Sequence, residues 1–567
     1  MSDEPSPRAE RCIDYNSHSG KKIMTLPRLN LLLVVSATVA ALVSMPVVSV
    51  LTHLASGGTA ATWSHLAATV LPEYVANTLL LCLLVGLGVI VVGVATAWLT
   101  AMHDFPGRHL FEWALVLPLA MPAYVLAYVY TDFLQFVGPL QTLLRASFGW
   151  SKADYWFPEV RSLGGAVTMF VFVLYPYVYL LARTAFIERA GGMLEVARTL
   201  GLGPWRSFFR VSLPLARPAV AAGTTLALME TLADYGTVSY FAVQTFTTGI
   251  YRAWFSLGDR IAAAQLAAAL LAFVVLLLIL EHSSRGRSRF HDTSSRRRHS
   301  LSQRLSGWRG CAASAVCSLP LCIGFLLPAG LLLRLAIDES NAPFTALFLR
   351  LARNSFLLAG LTAVIAVALA ILLAYGARLS SGLWAPALNR LVSLGYAVPG
   401  SVIAVGVLIP VTRLDNWLAV QSEAWFGANP GLLLTGGIAA LVYAYLVRFL
   451  AVALQAVGSS LARITPHMDD AARSLGLGQT ATLHRVHLPI LRGSVLTACL
   501  LVFVDVMKEL PATLVMRPFD FDTLATQAYI LASDERLSEA ASASLAIVIV
   551  GLLPLIALSR QISLGRR

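Results

Sequence analysis

The amino-acid sequence predicts an all-α polytopic membrane protein with about 12 transmembrane helices, arranged as two parallel six-helix repeats. Three observations predict this fold class. The 567 residues are 57% hydrophobic and only 13% charged, whereas a soluble chain carries about 25% charged residues. The apolar residues also fall in stretches of bilayer length, and short motifs recur at a nearly constant offset. A soluble globular protein is therefore excluded, and the lipid bilayer is the expected environment.

Twelve stretches reach the length of about 20 mostly apolar residues that a spanning helix needs. The first six lie near 29–51, 76–101, 111–134, 163–186, 213–235 and 262–281. The second six lie near 312–336, 354–376, 390–412, 432–454, 490–514 and 543–560. The stretch at 29–51 is interpreted as a retained helix, because no signal-peptide cleavage site is evident after it.

These stretches divide the chain into four parts. Residues 1–28 form an N-terminal tail, 29–282 the first repeat, 283–311 an arginine-rich linker and 312–567 the second repeat. Because cytoplasmic loops are enriched in Lys and Arg, the tails, the linker and the segments after even-numbered spans are predicted to be cytoplasmic. The same bias explains the net charge of +12, so no nucleic-acid partner is expected. A lipid or nucleic-acid role for the linker is the alternative.

The two halves repeat each other at an offset of 277 residues early in the repeat and 275 later in it. The matching pairs are Asn77-Thr78 with Asn354-Ser355, Pro122 with Pro399, Gly201 with Gly476, and Leu213-Pro214 with Leu488-Pro489. Since six spans is an even number, both halves are expected to have the same orientation. Inverted repeats are common among secondary transporters, although parallel repeats also occur there.

Two predicted cytoplasmic segments carry the most informative motif. The first reads EVARTLG at 195–201 and VSLP at 211–214, and the second reads DAARSLG at 470–476 and VHLP at 486–489. We call 195–214 the first docking segment and 470–489 the second. The candidate docking residues are Glu195, Ala197, Gly201, Leu213, Pro214, Asp470, Ala471, Ala472, Gly476, Leu488 and Pro489.

The chemistry of these segments suits a surface helix that contacts another protein. An acidic residue is favourable at a helix start, small residues let a partner approach closely, and glycine can end the helix in a left-handed cap. The Leu-Pro pair is predicted to restart the chain towards the next span. The alternative is an ordinary amphipathic helix at the membrane interface.

The docking segments resemble the EAA loop of type I ABC importer permeases, whose pattern is E-A-A, three residues, G, nine residues and I-x-L-P. The departures, Val196, Asp470, Val211 and Val486, are conservative. The resemblance implies that permease fold in the bacterial inner membrane, a cytoplasmic ABC ATPase in two copies docking on the segments, and a periplasmic binding protein. Because the sequence has no G-x-x-x-x-G-K-[ST] motif, we expect ATP to be used by the partner and no cofactor to be bound here.

Each half carries two carboxylates near the end of its fifth span, at positions i and i+4 of one helix face. They are Glu230 and Asp234 in the first half, and Asp505 and Glu509 in the second. Counted from the cytoplasmic end of their helices, they are expected in the outer third of the membrane. The hypothesis is that they line the outer mouth or gate of a pathway for a hard, oxygen-seeking cation.

The alternative for the four carboxylates is structural: they cap helix ends or pair with nearby cations. The nearby cations in the sequence are Arg252, Lys508 and Arg517. A bound metal ion is not identified, and the six cysteines contain no C-x-x-C pair, so no zinc site or disulfide framework is predicted.

The wider segments at 229–254 and 502–529 are similar to ferric-iron importer permeases, and this resemblance extends over nearly the whole chain after residue 29. It implies ferric iron as the substrate, while thiamine, a polyamine or another small solute stays open. Thr248 and Tyr251 recur as Thr526 and Tyr529 in the predicted outer loop after each fifth span. They are the candidate contacts for the binding protein, with an interfacial aromatic anchor as the alternative.

Two other classes of protein compete with this interpretation. An ion-gradient-driven secondary transporter would not need paired docking segments. A membrane-embedded enzyme would need clustered His, Asp and Glu residues, but the 11 histidines are scattered through tails and loops. No catalytic residues are therefore predicted.

Overall fold

The computed structural model describes residues 31–57, 59–187, 197, 199–284, 303–338, 346–380 and 382–564. Eleven helices in these ranges are long and apolar enough to cross a membrane, and a pair of helices joined at a 90° bend makes a twelfth span. The prediction of about 12 spans in an all-α protein is confirmed. We number the spans in chain order and call residues up to 284 the first half and residues from 303 the second half.

The spans of the first half are Leu31–Ala55, Leu71–Met102, the bent pair Arg108–Ala120 and Ala123–Phe148, Leu163–Ala185, Trp205–Ala233 and Arg260–Ser284. Those of the second half are Trp308–Ile337, Ala346–Leu379, Gly400–Phe426, Ala439–Leu461, Gln479–Met507 and Leu537–Ile556. Short helices connect them at Ala60–Thr69, Gly236–Tyr240, Phe246–Tyr251, Trp384–Ser393, Pro466–Ser474, Pro511–Met516 and Leu524–Ser533. Two short strands, His103–Asp104 and Gln303–Arg304, pair in parallel.

The same break interrupts the third span and directly precedes the ninth span, whereas the sequence predicted continuous helices over 111–134 and 390–412. A short 3-10 turn, Leu117–Ala120 or Leu394–Ala397, is followed by an extended residue and then by a proline. Met121 has φ −93° and ψ 115°, and its counterpart Val398 has φ −79° and ψ 123°. A residue before proline avoids the helical region, so Pro122 and Pro399 dictate the break.

The second, fourth and fifth spans of each half pack against one another and form its core. The first span of each half instead packs against the opposite half. In the first half, Leu31–Thr52 packs on the eighth and ninth spans, and Tyr443 donates a hydrogen bond to the Leu42 carbonyl at 2.6 Å. In the second half, the seventh span packs on the first half, and Tyr130 donates to the Ile323 carbonyl at 2.6 Å. The halves are therefore interlocked through exchanged helices.

Candidate functional site

All four predicted carboxylates reach one cavity of about 110 Å³ between the two halves, which we call the central cavity. Both halves contribute walls to it. Its polar lining residues are Tyr124, Tyr177, Glu230, Asp234, Tyr396, Arg448, Asp505, Lys508 and Glu509. The fifth and eleventh spans end at Ala233 and Met507. Asp234 and Glu509 therefore lie beyond the helix ends, which corrects the prediction that each pair shares one helix face at i and i+4.

Asp234 and Glu509 are equivalent residues, and each also caps the short helix that follows it. Asp234 Oδ1 accepts the backbone N–H of Thr237 at 2.8 Å. Glu509 Oε1 accepts the N–H of Ala512 at 2.9 Å, and its Oε2 accepts the Thr513 hydroxyl at 2.6 Å. The structural alternative is therefore correct for these two residues, although both also line the central cavity.

Glu230 and Asp505 take their partners from side chains instead. Asp505 Oδ1 lies 2.9 Å from Lys508 Nζ, one turn along the same helix. Glu230 Oε1 accepts the Tyr396 hydroxyl at 2.9 Å, and its Oε2 lies 3.5 Å from Arg448 Nη2. Arg448 on the tenth span, in the second half, is thus a counter-ion of Glu230 in the first half.

Of the three nearby cations considered from the sequence, only Lys508 pairs with one of the four carboxylates. Arg252 donates to Gln244 Oε1 at 2.9 Å, and Arg517 pairs with Asp522. The sequence reasoning missed Arg448, which is 8% exposed. A detectable signal existed, because an arginine inside the apolar stretch 439–461 marks a functional candidate in a membrane span.

Oxygen atoms dominate the rest of the polar lining. The Tyr124 hydroxyl is buried and has no hydrogen-bond partner in the described part of the chain. Within the same residues, no three Asp, Glu, His or Cys side chains are grouped closely enough to hold a metal ion. In this conformation the four carboxylates are satisfied by the protein's own cations, hydroxyls and amides.

Two of the candidate binding-protein contacts, Tyr251 and Thr526, are buried, and the other two, Thr248 and Tyr529, are partly exposed. Tyr251 is 5% exposed, stacks on Tyr235 and donates its hydroxyl to the Pro511 carbonyl. Tyr529 donates to Ser239 Oγ at 3.0 Å, so both tyrosines join the two halves.

The two candidate threonines belong to equivalent helix caps. The backbone N–H of Thr245 donates to Thr248 Oγ1 at 2.8 Å, and that of Thr523 donates to Thr526 Oγ1 at 2.9 Å. None of the four candidates forms part of an exposed loop surface. Contact with a binding protein stays a prediction, and the burial of Tyr251 and Thr526 counts against it.

Both docking segments end their helix with the predicted left-handed glycine. Gly201 has φ +77° and Gly476 has φ +79°. The following residue in each segment closes the same turn: Leu202 N–H donates to the Ala197 carbonyl and Leu477 N–H to the Ala472 carbonyl, both at 3.0 Å. These bonds form the 6→1 pattern of a Schellman cap. Glu195 lies outside the described residues.

The second docking segment is described completely. Asp470 and Ala471 are exposed on its helix Pro466–Ser474. Asp470 Oδ1 lies 3.8 Å from Arg473 Nη1. Ala472 faces inward and is buried. Leu475 is 80% exposed, and Leu200 at the equivalent position of the first segment is 76% exposed. Each segment therefore presents an apolar side chain beside its glycine.

The Leu-Pro pairs do not restart the chain, which corrects the prediction for Leu213-Pro214 and Leu488-Pro489. The fifth and eleventh spans already begin at Trp205 and Gln479. A π-helical turn, Phe208–Ser212 or Leu483–His487, precedes each pair. Proline lacks an N–H and disturbs a regular helix, and a π turn is a local adjustment that accommodates it.

An ion-pair group that the sequence reasoning missed anchors the second docking helix. Asp469 Oδ2 lies 2.8 Å from Arg378 Nη2, and its Oδ1 lies 2.7 Å from His487 Nε2. Arg378 also donates to the carbonyls of Leu461 and Ile464, at 2.8 and 2.9 Å. Arg378 therefore ties the docking helix to the ends of the eighth and tenth spans.

Comparison with known proteins gives a family and several relatives. The family described as "Binding-protein-dependent transport system inner membrane component" matches residues 89–285. The Fe(3+)-transport system permease protein FbpB 2 of Haemophilus influenzae is 27% identical over 497 residues, which are 86% of this chain and 90% of that protein. The molybdenum transport system permease protein ModB of the same species is 30% identical over 188 residues, 32% of this chain and 78% of ModB.

One solved structure, of a bacterial ABC transporter involved in alginate import, matches 44% of this chain and 95% of its own chain. It has 16% sequence identity and a TM-score of 0.35. FbpB 2 and ModB are transport permeases, and an importer permease accounts for the apolar spans. The chain belongs to the binding-protein-dependent transport system inner membrane component family, and it is a multi-pass inner-membrane permease of the type I ABC importer class.

Proposed function

We propose that this permease imports ferric iron, driven by a separate cytoplasmic ATPase and supplied by a periplasmic binding protein. The observation that carries the proposal is the central cavity, where two carboxylates from each half meet among tyrosine side chains. Hard cations prefer carboxylate and other oxygen ligands. The relative that aligns with 86% of the chain is an Fe(3+)-transport permease, which supports the same cargo.

The four carboxylates outnumber the two cations that line the cavity, Arg448 and Lys508. The excess of negative charge attracts a cation and disfavours an oxyanion. This argument separates the proposed cargo from that of the molybdenum permeases, whose match covers about one repeat of this chain. Thiamine and polyamines are cations, so they are the alternatives that an experiment must test.

We propose further that one ATPase subunit docks on each docking segment. The support is their equivalence: both have a left-handed glycine, the same capped turn and an exposed leucine. An ATPase dimer needs two like contact sites on one face. The tails, the arginine-rich linker and both docking segments would then lie on the cytoplasmic side, in accord with the excess of arginine there.

Reconstitution tests the proposal directly. The chain is placed in proteoliposomes with a candidate ABC ATPase and a candidate binding protein, and ATP hydrolysis and uptake are measured with ferric iron, thiamine, spermidine and molybdate. We expect ferric iron to stimulate both activities and the other three solutes to leave them at the basal rate. Stimulation by thiamine or spermidine alone would show that this solute, and not ferric iron, is the cargo. Stimulation by molybdate would contradict the role given to the acidic cavity.

A further inference from the structure

The cations of the central cavity come from one half only. Arg448 on the tenth span corresponds to Val173 in the first half at an offset of 275, and Lys508 corresponds to Ala233. All four of these positions line the cavity. The carboxylates are duplicated in both repeats, but their counter-charges are not. The positive charge of the cavity is therefore confined to the second half.

The two cations are used differently. Lys508 pairs with Asp505 within one helix of the second half. Arg448 reaches both halves: its Nη2 lies 3.5 Å from Glu230 Oε2, and its Nη1 lies 3.7 Å from Glu509 Oε1. Of the two cations that line the cavity within the described ranges, Arg448 alone bridges the repeats.

The Arg448 bridge is held by charge and lacks tight hydrogen bonds. Both of its contacts exceed the distance of about 2.7–2.9 Å that is typical of charge-assisted hydrogen bonds. Its Nε is buried without a hydrogen-bond partner among the described residues. Burying a guanidinium is costly unless its donors are satisfied. This arginine is consequently easier to displace than one held in a bidentate pair.

The ninth span limits the movement of Arg448 on one side, and the central cavity lies beside it. A Cβ added at Gly400 would meet Glu509 Oε1 at 2.8 Å and Arg448 Nη1 at 3.3 Å, so the ninth span closes one side. Glu509 is fixed as a helix cap by its bonds to Ala512 and Thr513. Arg448 also lines the central cavity, which offers space for a displaced guanidinium.

We propose that Arg448 is the resident counter-ion of the pathway: it bridges Glu230 and Glu509 across the two halves until the cationic cargo takes its place. A trivalent cation interacts with the same carboxylates more strongly than a monovalent guanidinium does. Arg448 is thus a specificity-determining residue, because a cargo of low charge density would not displace it. The displacement step rests on the cation cargo proposed above, whereas the bridge does not.

Hydrogen–deuterium exchange of the full chain in nanodiscs tests the bridge without any cargo. The amides of Gly236–Tyr240 and Pro511–Met516 report on it, because Asp234 and Glu509 cap these two helices. We expect Arg448→Met to speed their exchange about tenfold, since an unpaired buried charge remains between the halves. Lys508→Met, the matched control, should leave exchange in Gly236–Tyr240 unchanged. Unaltered exchange in Arg448→Met, or equal acceleration in both variants, would overturn the bridge.

A second variant keeps this test decisive if Arg448→Met does not fold. Glu230→Gln removes the charge at the other end of the bridge and retains the shape and an acceptor for Tyr396. We expect the same pattern of faster exchange as in Arg448→Met, and Arg448→Lys should retain most of the protection. Protection at the wild-type level in Glu230→Gln would show that the bridge does not hold the halves.

Binding of ferric nitrilotriacetate to the full chain tests displacement. Removing the competing guanidinium should make Arg448→Met bind ferric iron about tenfold more tightly than the wild type, and adding Glu230→Gln should abolish that gain. Equal affinity of Arg448→Met and wild type would overturn the displacement step. Absence of ferric binding in every variant would contradict the cargo, and the exchange experiment would still judge the bridge.

Discussion

At the residue scale, the four cavity carboxylates separate into two structural roles. Asp234 and Glu509 accept backbone N–H groups and fix the short helices that follow. Among the described residues, Glu230 and Asp505 do not cap a helix, and their polar partners are side chains. Neutralising Asp234 or Glu509 would therefore mix a folding defect with a transport defect. Neutralising Glu230 and Asp505 leaves both helix caps in place, although Glu230 also contacts Arg448 of the other half.

We expect the double variant Glu230→Gln/Asp505→Asn to lower cargo uptake by about tenfold or more, since each lost charge weakens cation binding in a poorly solvated site. Assembly and basal ATP hydrolysis in proteoliposomes should persist, because both helix caps remain even though the Arg448 bridge between the halves is lost. Glu423→Gln, a change to an exposed carboxylate far along the ninth span, is the control. Uptake at the wild-type rate in the double variant would show that Glu230 and Asp505 do not contribute to cargo translocation.

At the scale of elements, the docking segments repeat in detail. The turn from Ala197 to Leu202 and the turn from Ala472 to Leu477 close with the same hydrogen bond and the same left-handed glycine. The Asp469 ion pairs with Arg378 and His487 connect the second docking helix to the eighth and eleventh spans. Movement of this helix by a partner would thus be transmitted to spans that pack in the core of the second half.

The exposed leucine of each docking segment is expected to anchor the ATPase. Leu475→Ser should weaken binding of the partner ATPase by about tenfold, the effect of losing a central apolar contact of an interface. Co-purification and titration with the isolated ATPase measure the change. Leu143→Ser is the matched control, because Leu143 is 63% exposed on a different helix. Equal binding by the Leu475→Ser variant and the control would exclude this contact.

The left-handed glycine of the second docking segment gives a stability prediction. Gly476→Ala should destabilise the turn by about 1–2 kcal/mol, because an L-residue is strained at φ +79°. Gly493→Ala, in the interior of the helix Leu488–Met507 with open space around its added Cβ, should instead be neutral or stabilising. Thermal unfolding of the two purified variants compares them. A lower midpoint for Gly493→Ala than for Gly476→Ala would contradict this account.

At the scale of the whole molecule, the exchanged first spans bind the two halves together. Leu31–Thr52 rests on the second half, where Gly406 lies against Pro46, and the seventh span rests on the first half, where Gly324 lies against Phe172. A Cβ at Gly406 would lie 2.4 Å from the Pro46 carbonyl oxygen. These close backbone contacts leave each half incomplete without the other.

The exchange predicts how a divided chain behaves. Residues 1–302 and 303–567 expressed alone should be degraded or aggregate, because the surface that accepts the other half's first span stays uncovered. Co-expression should restore a complex that co-purifies and transports. Stable, monodisperse recovery of either fragment alone would show that the exchanged spans are dispensable for folding.

The spans were predictable because hydropathy over about 20 residues decides membrane insertion. Hydropathy does not predict the break at Met121-Pro122, since the residues on both sides of it are apolar. The extension of the fifth span to Trp205 was missed because Arg206 and Arg210 interrupt the hydropathy without interrupting the helix. The convergence of the carboxylates followed from the repeat, whereas the Arg448 bridge required knowing which faces of the fifth and tenth spans meet.

The single arginine of the central cavity has a consequence for gene architecture. When two identical subunits assemble about a twofold axis, every side chain near that axis faces its own copy. An arginine introduced there would meet a second arginine, and the like charges would repel. Joining the subunits in one polypeptide removes this constraint, because the two halves can differ in sequence and each molecule still contains one copy of each. The fused chain could acquire a lone cation beside the axis, where Val173 remains its uncharged counterpart.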